Sequence, residues 1–432
     1  MNNISLFVVL AIALSIALGY KTKINTGFFA MAFAYIIGAF FLDLKASDVI
    51  KMWPVTIFFV VFSVSLFYNF ALVNGTLEKL AMYLLYGCRK FPKFLPFIIF
   101  LAAPFVAALG AGYYTVLAFF APLTLLLCEK TGMNKLIGAL CVNYGALAGA
   151  NFMTSGNGIV FRGLMEEVGY GEMAFSYSTT IFAASFILPV IVISGLLLLS
   201  KKNAMDATLN IEKPERFDKT QKTNLYLIFT MMAIVLIAPI LNTIFKDNVT
   251  IAFINSKMDV GLIAIIFSVI ALMFKIGDEK AVIAKVPWNT LIMICGVGML
   301  IQVAIQAGTI DMLSSWVGSN IPPMLIPIAL VLIGGCMSFF SSTIGVVCPA
   351  LFPIIPAISA SAGINPMLLF TAIIIGAQAT SVSPFSSGGS LVLGSCTTEE
   401  DRSEMFNNLL FRGIPTCLTA TVVISFIGFL VV

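Results

Sequence analysis

A cluster of uncharged polar residues interrupts an apolar stretch between Leu136 and Phe161, in which no side chain is charged. The cluster contains amide, hydroxyl and glycine residues, namely Asn151, Thr154, Ser155, Gly156, Asn157 and Gly158. Such groups donate hydrogen bonds to an anion, and their oxygens bind hard cations such as sodium. The elements around the cluster must therefore hold it inside an apolar environment without leaving its polar groups unpaired.

A second cluster follows 231 residues later, in the segment GAQATSVSPFSSGGS at residues 376–390. Matching residues at this separation are Pro122 and Pro353, Gly145 and Gly376, Ser155 and Ser386, and Gly158 and Gly389. Two further motifs recur at a similar separation: 75–80 (GTLEKL) with 308–313 (GTIDML), and 132–134 (GMN) with 363–365 (GIN). The repetition predicts two related halves that each contribute one polar cluster.

The composition predicts that these halves lie in a membrane. Of 432 residues, 60% are hydrophobic and 10% are charged, with a mean hydropathy of +1.04. Runs of about 20 apolar residues, the length that crosses a bilayer, recur along the chain. They lie at about 4–20, 24–42, 54–75, 94–128, 136–161, 173–200, 223–245, 258–274, 289–307, 322–395 and 413–432. We therefore predict an all-α integral membrane protein whose first run is a retained span.

The residues that most enzymes need are missing from the clusters. The chain has no histidine, which removes the commonest general base and metal ligand. Its eight cysteines form no CxxC pair and lie mostly in apolar runs, where free cysteines usually serve packing. The net charge of +4 comes from residues outside the clusters and does not indicate a nucleic-acid partner. An intramembrane enzyme is therefore not expected.

The boundaries of the halves follow from one hydrophilic interruption, residues 201–222, which we interpret as a cytoplasmic linker. Residues 1–200 form the first repeat, with a re-entrant hairpin at about 94–128 and a broken helix at about 135–168. Residues 223–432 form the second, with a hairpin at about 322–360 and a broken helix at about 366–395. Each half then has five spanning helices and one hairpin. An odd number of crossings inverts the second half relative to the first.

The distribution of basic residues orients this arrangement. Most of the 24 Lys and Arg residues fall on the side that holds Lys21, Lys23 and the linker. The other side holds only Lys45, Lys51, Arg162, Lys246 and Lys257. Because basic residues concentrate on the cytoplasmic side, both termini are predicted outside. Lys202 and Arg402 should then face the cytoplasm, and Lys51 and Lys257 the exterior.

Inverted repeats with paired broken helices are typical of secondary transporters, whose binding site lies where the breaks meet. The N-terminus of a half-helix has free N–H groups and a partial positive charge. Two such termini hold an anion without lysine or arginine, and the segment from Met312 to Thr398 contains neither.

The chain resembles the ion transporter superfamily, in particular its divalent-anion/sodium symporter branch. Residues 154–161 (TSGNGIVF) look like the Thr-Pro-Pro-Asn-Ala-Ile-Val-Phe segment of that branch. The stretch from Asn74 through the hairpin tip Gly110–Gly112 to Gly145–Ala146 is most similar to the malonate and dicarboxylate carrier group. The resemblance implies an elevator-type carrier, usually a homodimer, that moves small dicarboxylates across the inner (plasma) membrane.

The resemblance also implies a set of site residues. In the symporter branch both hairpin tips carry Ser-Asn-Thr, whereas this chain has Ser341-Ser342-Thr343 at one tip and no such motif at the other. Gly388 stands where the second broken helix of the branch has asparagine. The substrate-binding candidates are Thr115, Asn151, Thr154, Ser155, Asn157, Ser342, Thr343, Ser386 and Ser387. The candidates for sodium sites are Gly110, Gly112, Gly149, Ser341 and Ser383. No cofactor is expected beyond sodium as the coupling ion.

Several alternatives stay open at this stage. Small and hydroxylated residues in membrane helices also serve close helix packing. Tyr113 and Tyr114 fit either a gate at the hairpin tip or interface anchors. Exchange of organic anions without sodium, or an anion channel, would use similar polar breaks. Coupling to protons is disfavoured because the candidate site contains no acidic residue or histidine.

Overall fold

The computed structural model describes residues 3–88, 94–199, 213–245, 248–396 and 398–431, which form helices and connecting turns without a strand. The helices of the first half are α1 (Asn3–Thr22), α2 (Thr26–Phe40), α3 (Ala46–Lys51), α4 (Val55–Val73), α5 (Thr76–Cys88), α6 (Leu95–Val106), α7 (Tyr113–Thr131), α8 (Lys135–Ala150), α9 (Gly156–Glu167) and α10 (Gly171–Leu199).

The helices of the second half are α11 (Lys219–Ile244), α12 (Val249–Lys257), α13 (Val260–Met273), α14 (Glu279–Ala284), α15 (Trp288–Gln306), α16 (Thr309–Asn320), α17 (Ile326–Ser338), α18 (Cys348–Leu351), α19 (Ile355–Ala362), α20 (Pro366–Ala379), α21 (Ser387–Gly394), α22 (Glu399–Asn408) and α23 (Ile414–Val431). Of the predicted linker, residues 201–212 lie outside the described residues. Its last four residues belong to α11, because Asp218 and Gln221 form a capping box that starts this helix.

Eight described helices are long and apolar enough to cross a membrane, and a bent pair around residues 249–273 would make a ninth. Some of these spans join consecutive helices named above, such as α3 with α4. The eight are Ile4–Thr22, Ala46–Val73, Tyr113–Thr131, Gly171–Leu198, Lys219–Asn242, Trp288–Gln306, Thr343–Ala362 and Glu399–Gly428. Helix α2 has only 15 residues, about 22 Å of length, which is shorter than a hydrocarbon core of about 30 Å. The chain is a multi-span helical membrane protein, and five crossings in each half stay a prediction.

The chain reverses direction at the first predicted hairpin tip. Helix α6 ends in a π-helical turn, Ala107–Ala111, and Gly110 and Gly112 adopt φ of 95° and 73°, a region in which other residues are strained. On α8, Gly145 packs on the Phe100 carbonyl and Gly149 on the Pro104 carbonyl, so α6 and α8 run in parallel. Helix α7 runs the opposite way.

The direction of α7 is fixed by its contacts with the same helix, α8. Tyr113, at the start of α7, bonds to Asn143, and Thr124, further along α7, packs on Gly138. Residue numbers that increase along α7 therefore face residue numbers that decrease along α8, so the two helices are antiparallel. The arms α6 and α7 consequently form a hairpin that packs against α8.

The packing of α6 on α8 recurs 231 residues later. A Cβ atom at Gly145 would lie 2.8 Å from the Phe100 carbonyl oxygen, and one at Gly376 would lie 2.2 Å from the Val331 carbonyl oxygen. Both pairs are 45 residues apart in sequence. Because real Cβ atoms do not approach so closely, glycine lets α8 and α20 pack directly on the backbones of α6 and α17.

Short turn motifs also have the same geometry in both halves. Gly132 and Gly363 end a helix with φ of 72° and 67°. The side chains of Asn134 and Asn365 then cap the next helix by accepting backbone N–H bonds. The repeated sequence motifs therefore mark repeated local structure.

Helices from the two halves pack in reciprocal pairs. Helix α2 of the first half packs on α15 of the second, and α13 of the second half packs on α4 of the first. The approach of α2 to α15 is close, because a Cβ atom at Gly296 would lie 2.3 Å from the Gly27 carbonyl oxygen. This exchange of partners is the contact pattern that two halves related by a twofold axis produce.

Candidate functional site

Two helix breaks supply the polar clusters. Residues 151–155 separate α8 from α9, and residues 380–386 separate α20 from α21. In a buried break, backbone groups need partners inside the protein. The first is closed by a bond from the Ser155 N–H to the Phe152 carbonyl (2.8 Å), and the second by one from the Ser386 N–H to the Ser383 carbonyl (2.9 Å).

A cavity of about 40 Å³ lies where the breaks and the hairpin tips meet. Its lining comprises Tyr113, Tyr114, Leu147, Asn157, Ser338, Ser341, Ser342, Thr343, Ile344, Ser381, Ser386, Ser387 and Gly388. Among these described residues none is charged, and most carry a hydroxyl or an amide. The cavity thus combines residues from both halves of the chain.

The first half contributes Asn157, in the first turn of α9. Its side chain is 8% exposed, and its Nδ2 donates to Asn151 Oδ1 at 3.0 Å. Asn151 in turn donates to Ser185 Oγ on α10 at 2.9 Å. This chain of buried amides fixes the orientation of Asn157 at the cavity wall.

The second half contributes hydroxyl groups from the turn after α17, where the second hairpin tip is predicted, and from its break. Ser342 accepts from the Gly345 N–H at 3.2 Å, and Thr343 pairs with Ser338 at 3.0 Å. Ser341 donates to the Met337 carbonyl at 2.6 Å. Ser386 caps α21 by accepting from the Gly389 N–H. These bonds position the hydroxyls without using every lone pair.

Both half-helices point their N-termini at the cavity, because Asn157 and Ser387 lie in their first turns. The two ends differ in their caps. Helix α9 has no side-chain cap from Ser155, whereas α21 is capped by Ser386. The first turn of α9 is therefore the end with more backbone N–H groups available to a ligand.

The structure brings Asn157, Ser342, Thr343, Ser386 and Ser387 to this cavity, together with the sodium candidate Ser341. Three other predicted binding residues lie behind the wall. Asn151 orients Asn157, Ser155 donates to the Ala107 carbonyl at 2.8 Å, and the fully buried Thr154 hydroxyl interacts with that of Tyr68.

Thr115 is not part of this cavity. It lines a separate cavity with Glu78 and Phe119. Successive residues of a helix are rotated by about 100°, so Thr115 points away from the side of α7 that presents Tyr113. The resemblance placed it near the tip in sequence but could not give its direction.

The remaining sodium candidates lie in the first hairpin tip, in the last turn of α8 and in the second break. The backbone at Gly110 passes directly over the ring of Tyr68, and Gly149 packs on the Pro104 carbonyl. The carbonyl of Gly149 already accepts from the Phe152 N–H at 3.1 Å. Ser383 is fully buried and accepts from the Phe385 N–H at 3.2 Å. Gly112 links the tip to α7.

Two residues of the network were missed by the sequence analysis. Asn143 is fully buried, accepts from the Tyr113 hydroxyl at 2.6 Å and donates to Ser381 Oγ at 3.0 Å. An amide inside an apolar segment is costly unless it is paired, and this criterion, which selected Asn157, also applies to Asn143. Ser381 is adjacent to the predicted cluster and gave no separate signal.

Comparison with known proteins agrees with this fold. The chain shares its fold with the crystal structure of the Alcanivorax borkumensis YdaH transporter, with a TM-score of 0.56 and 14% identity, over 89% of this chain and 87% of that chain. The chain therefore has the same fold as that protein. Residues 1–150 match the family described as dicarboxylate carrier protein MatC N-terminus. No curated protein matches the chain significantly.

The family match and the fold together confirm the predicted resemblance to a dicarboxylate carrier-like transporter family. The family description and the solved structure both name transport proteins.

Proposed function

We propose that the protein is a sodium-coupled secondary transporter of small dicarboxylates of the C4 or malonate type. The observation that supports this most directly is the convergence of two half-helix N-termini on one uncharged polar cavity. Backbone N–H groups at helix N-termini bind carboxylates. Two termini and two hydroxyl clusters match a ligand with two carboxylate groups.

Coupling to a cation follows from the energy of moving a dianion. Each charge moved into an interior-negative cell costs about 2.3 kcal/mol per 100 mV. The residues described at the cavity include no acidic side chain or histidine that could take up and release a proton near neutral pH. Hydroxyls such as Ser341 and backbone carbonyls at the tips are oxygen ligands of the kind sodium takes. Sodium therefore serves as the compensating charge in this proposal.

The proposed mechanism is of the elevator type. In it the hairpins and broken helices move as a unit against the remaining helices. The hairpin arms pack on α8 and α20, which supports their motion as one body. The reciprocal packing of α2 on α15 and α4 on α13 supports the inverted repeat. We further propose a homodimer in the plasma membrane with both termini outside the cytoplasm.

Uptake into proteoliposomes tests this function. We expect accumulation of a radiolabelled dicarboxylate to follow an inward sodium gradient and to ignore a proton gradient at zero sodium. The matched control replaces sodium with choline at equal ionic strength. Equal uptake in choline, with strong stimulation by an internal dicarboxylate, would establish the exchanger instead. Single-channel current would establish the anion channel.

A further inference from the structure

Tyr113 occupies a position that ties the first hairpin to the second break. It follows Gly112 at the start of α7, lines the cavity and is 9% exposed. Its hydroxyl donates to Asn143 Oδ1 at 2.6 Å, and Asn143 donates to Ser381 Oγ at 3.0 Å. The ring is thereby held in one orientation against the second break.

The ring lies in the space beside Gly388. A Cβ atom at Gly388 would lie 1.9 Å from the Tyr113 hydroxyl oxygen and 3.1 Å from the adjacent ring carbon. Contacts below about 3 Å cannot be kept without movement. Residue 388 therefore has no side chain because Tyr113 fills the volume into which one would project.

This arrangement makes the two ends of the cavity chemically different. Gly388 is the residue 231 positions after Asn157, so it is the counterpart of that amide in the second half. The first half presents the amide of Asn157 at its helix N-terminus. At the equivalent place beside Gly388, the space is filled by the phenol of Tyr113, which also comes from the first half.

We infer that Tyr113 is a specificity-determining residue that excludes a carboxylate from the space beside Gly388, the counterpart of Asn157, and so limits the length of the diacid. The inference rests on the proposed function. The Tyr113 hydroxyl donates its proton to Asn143 Oδ1, so the Tyr113 oxygen presents only lone pairs to the cavity. A carboxylate is only an acceptor and gains no hydrogen bond there. The second carboxylate of the diacid must therefore bind nearer Ser342 and Ser387. This shortens the distance between the two carboxylates that the cavity accepts.

The position of Tyr114 agrees with this inference. It is the next residue of α7 and also lines the cavity. Its hydroxyl interacts with those of Ser342 and Ser387. These three hydroxyls, from the start of α7, the turn after α17 and the first residue of α21, form the closer site for the second carboxylate.

The first experiment measures binding of unbranched diacids with three to six carbons to the full-length chain by thermal shift and calorimetry, with sodium present. Tyr113→Ala should shift the preference toward longer diacids by about tenfold or more, the range for one methylene in a fitted pocket. Tyr113→Phe keeps the ring and should keep the length preference. Tyr144→Phe is the control, because this buried tyrosine donates to the Ala379 carbonyl and does not line the cavity.

An unchanged length preference in folded Tyr113→Ala would overturn the inference. If the wild-type chain binds no diacid, the proposed function fails. A second measurement then still tests whether Tyr113 fills the space at residue 388. In thermal unfolding, Gly388→Ala should lower Tm clearly less in a Tyr113→Ala background than in wild type. Some loss of Tm should remain in both backgrounds, because the added Cβ also lies 2.8 Å from the Ser381 carbonyl oxygen.

Gly394→Ala is the matched control for this cycle, since it lies in the same helix and its added Cβ meets nothing within 4 Å. Because alanine is favoured over glycine in a helix, it should leave Tm unchanged or raise it slightly, by the same amount in both backgrounds. Equal losses for Gly388→Ala in both backgrounds would show that Tyr113 does not fill the space at residue 388.

Discussion

At the scale of single residues, the site depends on amides and hydroxyls that are held by neighbours instead of by charge. Asn157 is oriented by Asn151, and Tyr113 by Asn143. These side chains are already held in one orientation before a ligand binds, so less side-chain entropy is lost on binding. A buried polar group of this kind costs free energy unless its partners are complete.

Asn157→Ala should weaken dicarboxylate binding by about ten- to a hundredfold, since a hydrogen bond to a charged group contributes about 1.5–3 kcal/mol. Isothermal calorimetry on the folded protein measures the change. Asn320→Ala is the control, because this exposed amide donates to the Trp316 carbonyl within its own helix. Equal affinity of Asn157→Ala and wild type would assign Asn157 to packing.

At the scale of elements, glycine shapes the first hairpin for two separable reasons, one at its tip and one where α7 ends. Gly110 has φ of 95°, and a Cβ atom there would lie 1.9 Å from the Tyr68 ring. Gly132, at the end of α7, has φ of 72° and open space around it. The first glycine is needed for both conformation and contact, whereas the second is needed for conformation alone.

Gly132→Ala should therefore lower stability by about 1 kcal/mol, the cost of left-handed backbone. Gly110→Ala should cost about 1–3 kcal/mol more, because the tip and Tyr68 must separate. Thermal unfolding in detergent with the same purification compares the two variants. Similar losses in both would show that Tyr68 does not support the tip.

At the scale of the whole molecule, the proposed inverted topology places residues of equivalent halves on opposite faces. Lys51 and Arg402 carry largely solvent-exposed side chains, 77% and 45% accessible, and are suitable labelling positions. Their predicted faces are opposite, because basic residues concentrate on the cytoplasmic side.

Cysteine variants at Lys51 and Lys257 should react with an impermeant reagent added outside whole cells, and one at Arg402 should react only after the membrane is opened. Cys336, which is exposed among the described cysteines, must first be replaced. Labelling of positions 51 and 402 from the same face would contradict the inverted repeat. Lys202, the other predicted cytoplasmic position, lies outside the described residues.

The sequence by itself determined the features that depend on local chemistry. Runs of apolar residues required spanning helices, and polar residues within them marked the places where α8 and α20 end. Asn134, Asn365 and Thr398 cap helices because capping needs only a short side chain and the next few N–H groups. The family resemblance was likewise carried by short segments whose meaning does not depend on distant contacts.

Only the tertiary structure decided which of these residues share a cavity. Thr115 and Tyr113 are two positions apart, yet they line different cavities, because a helix turns its side chains around its axis. Tyr113 meets Gly388, 275 residues away, through a contact that no local pattern encodes. Such contacts depend on how the hairpin of one half packs against the break of the other, and helix packing is set by the shapes of both surfaces together.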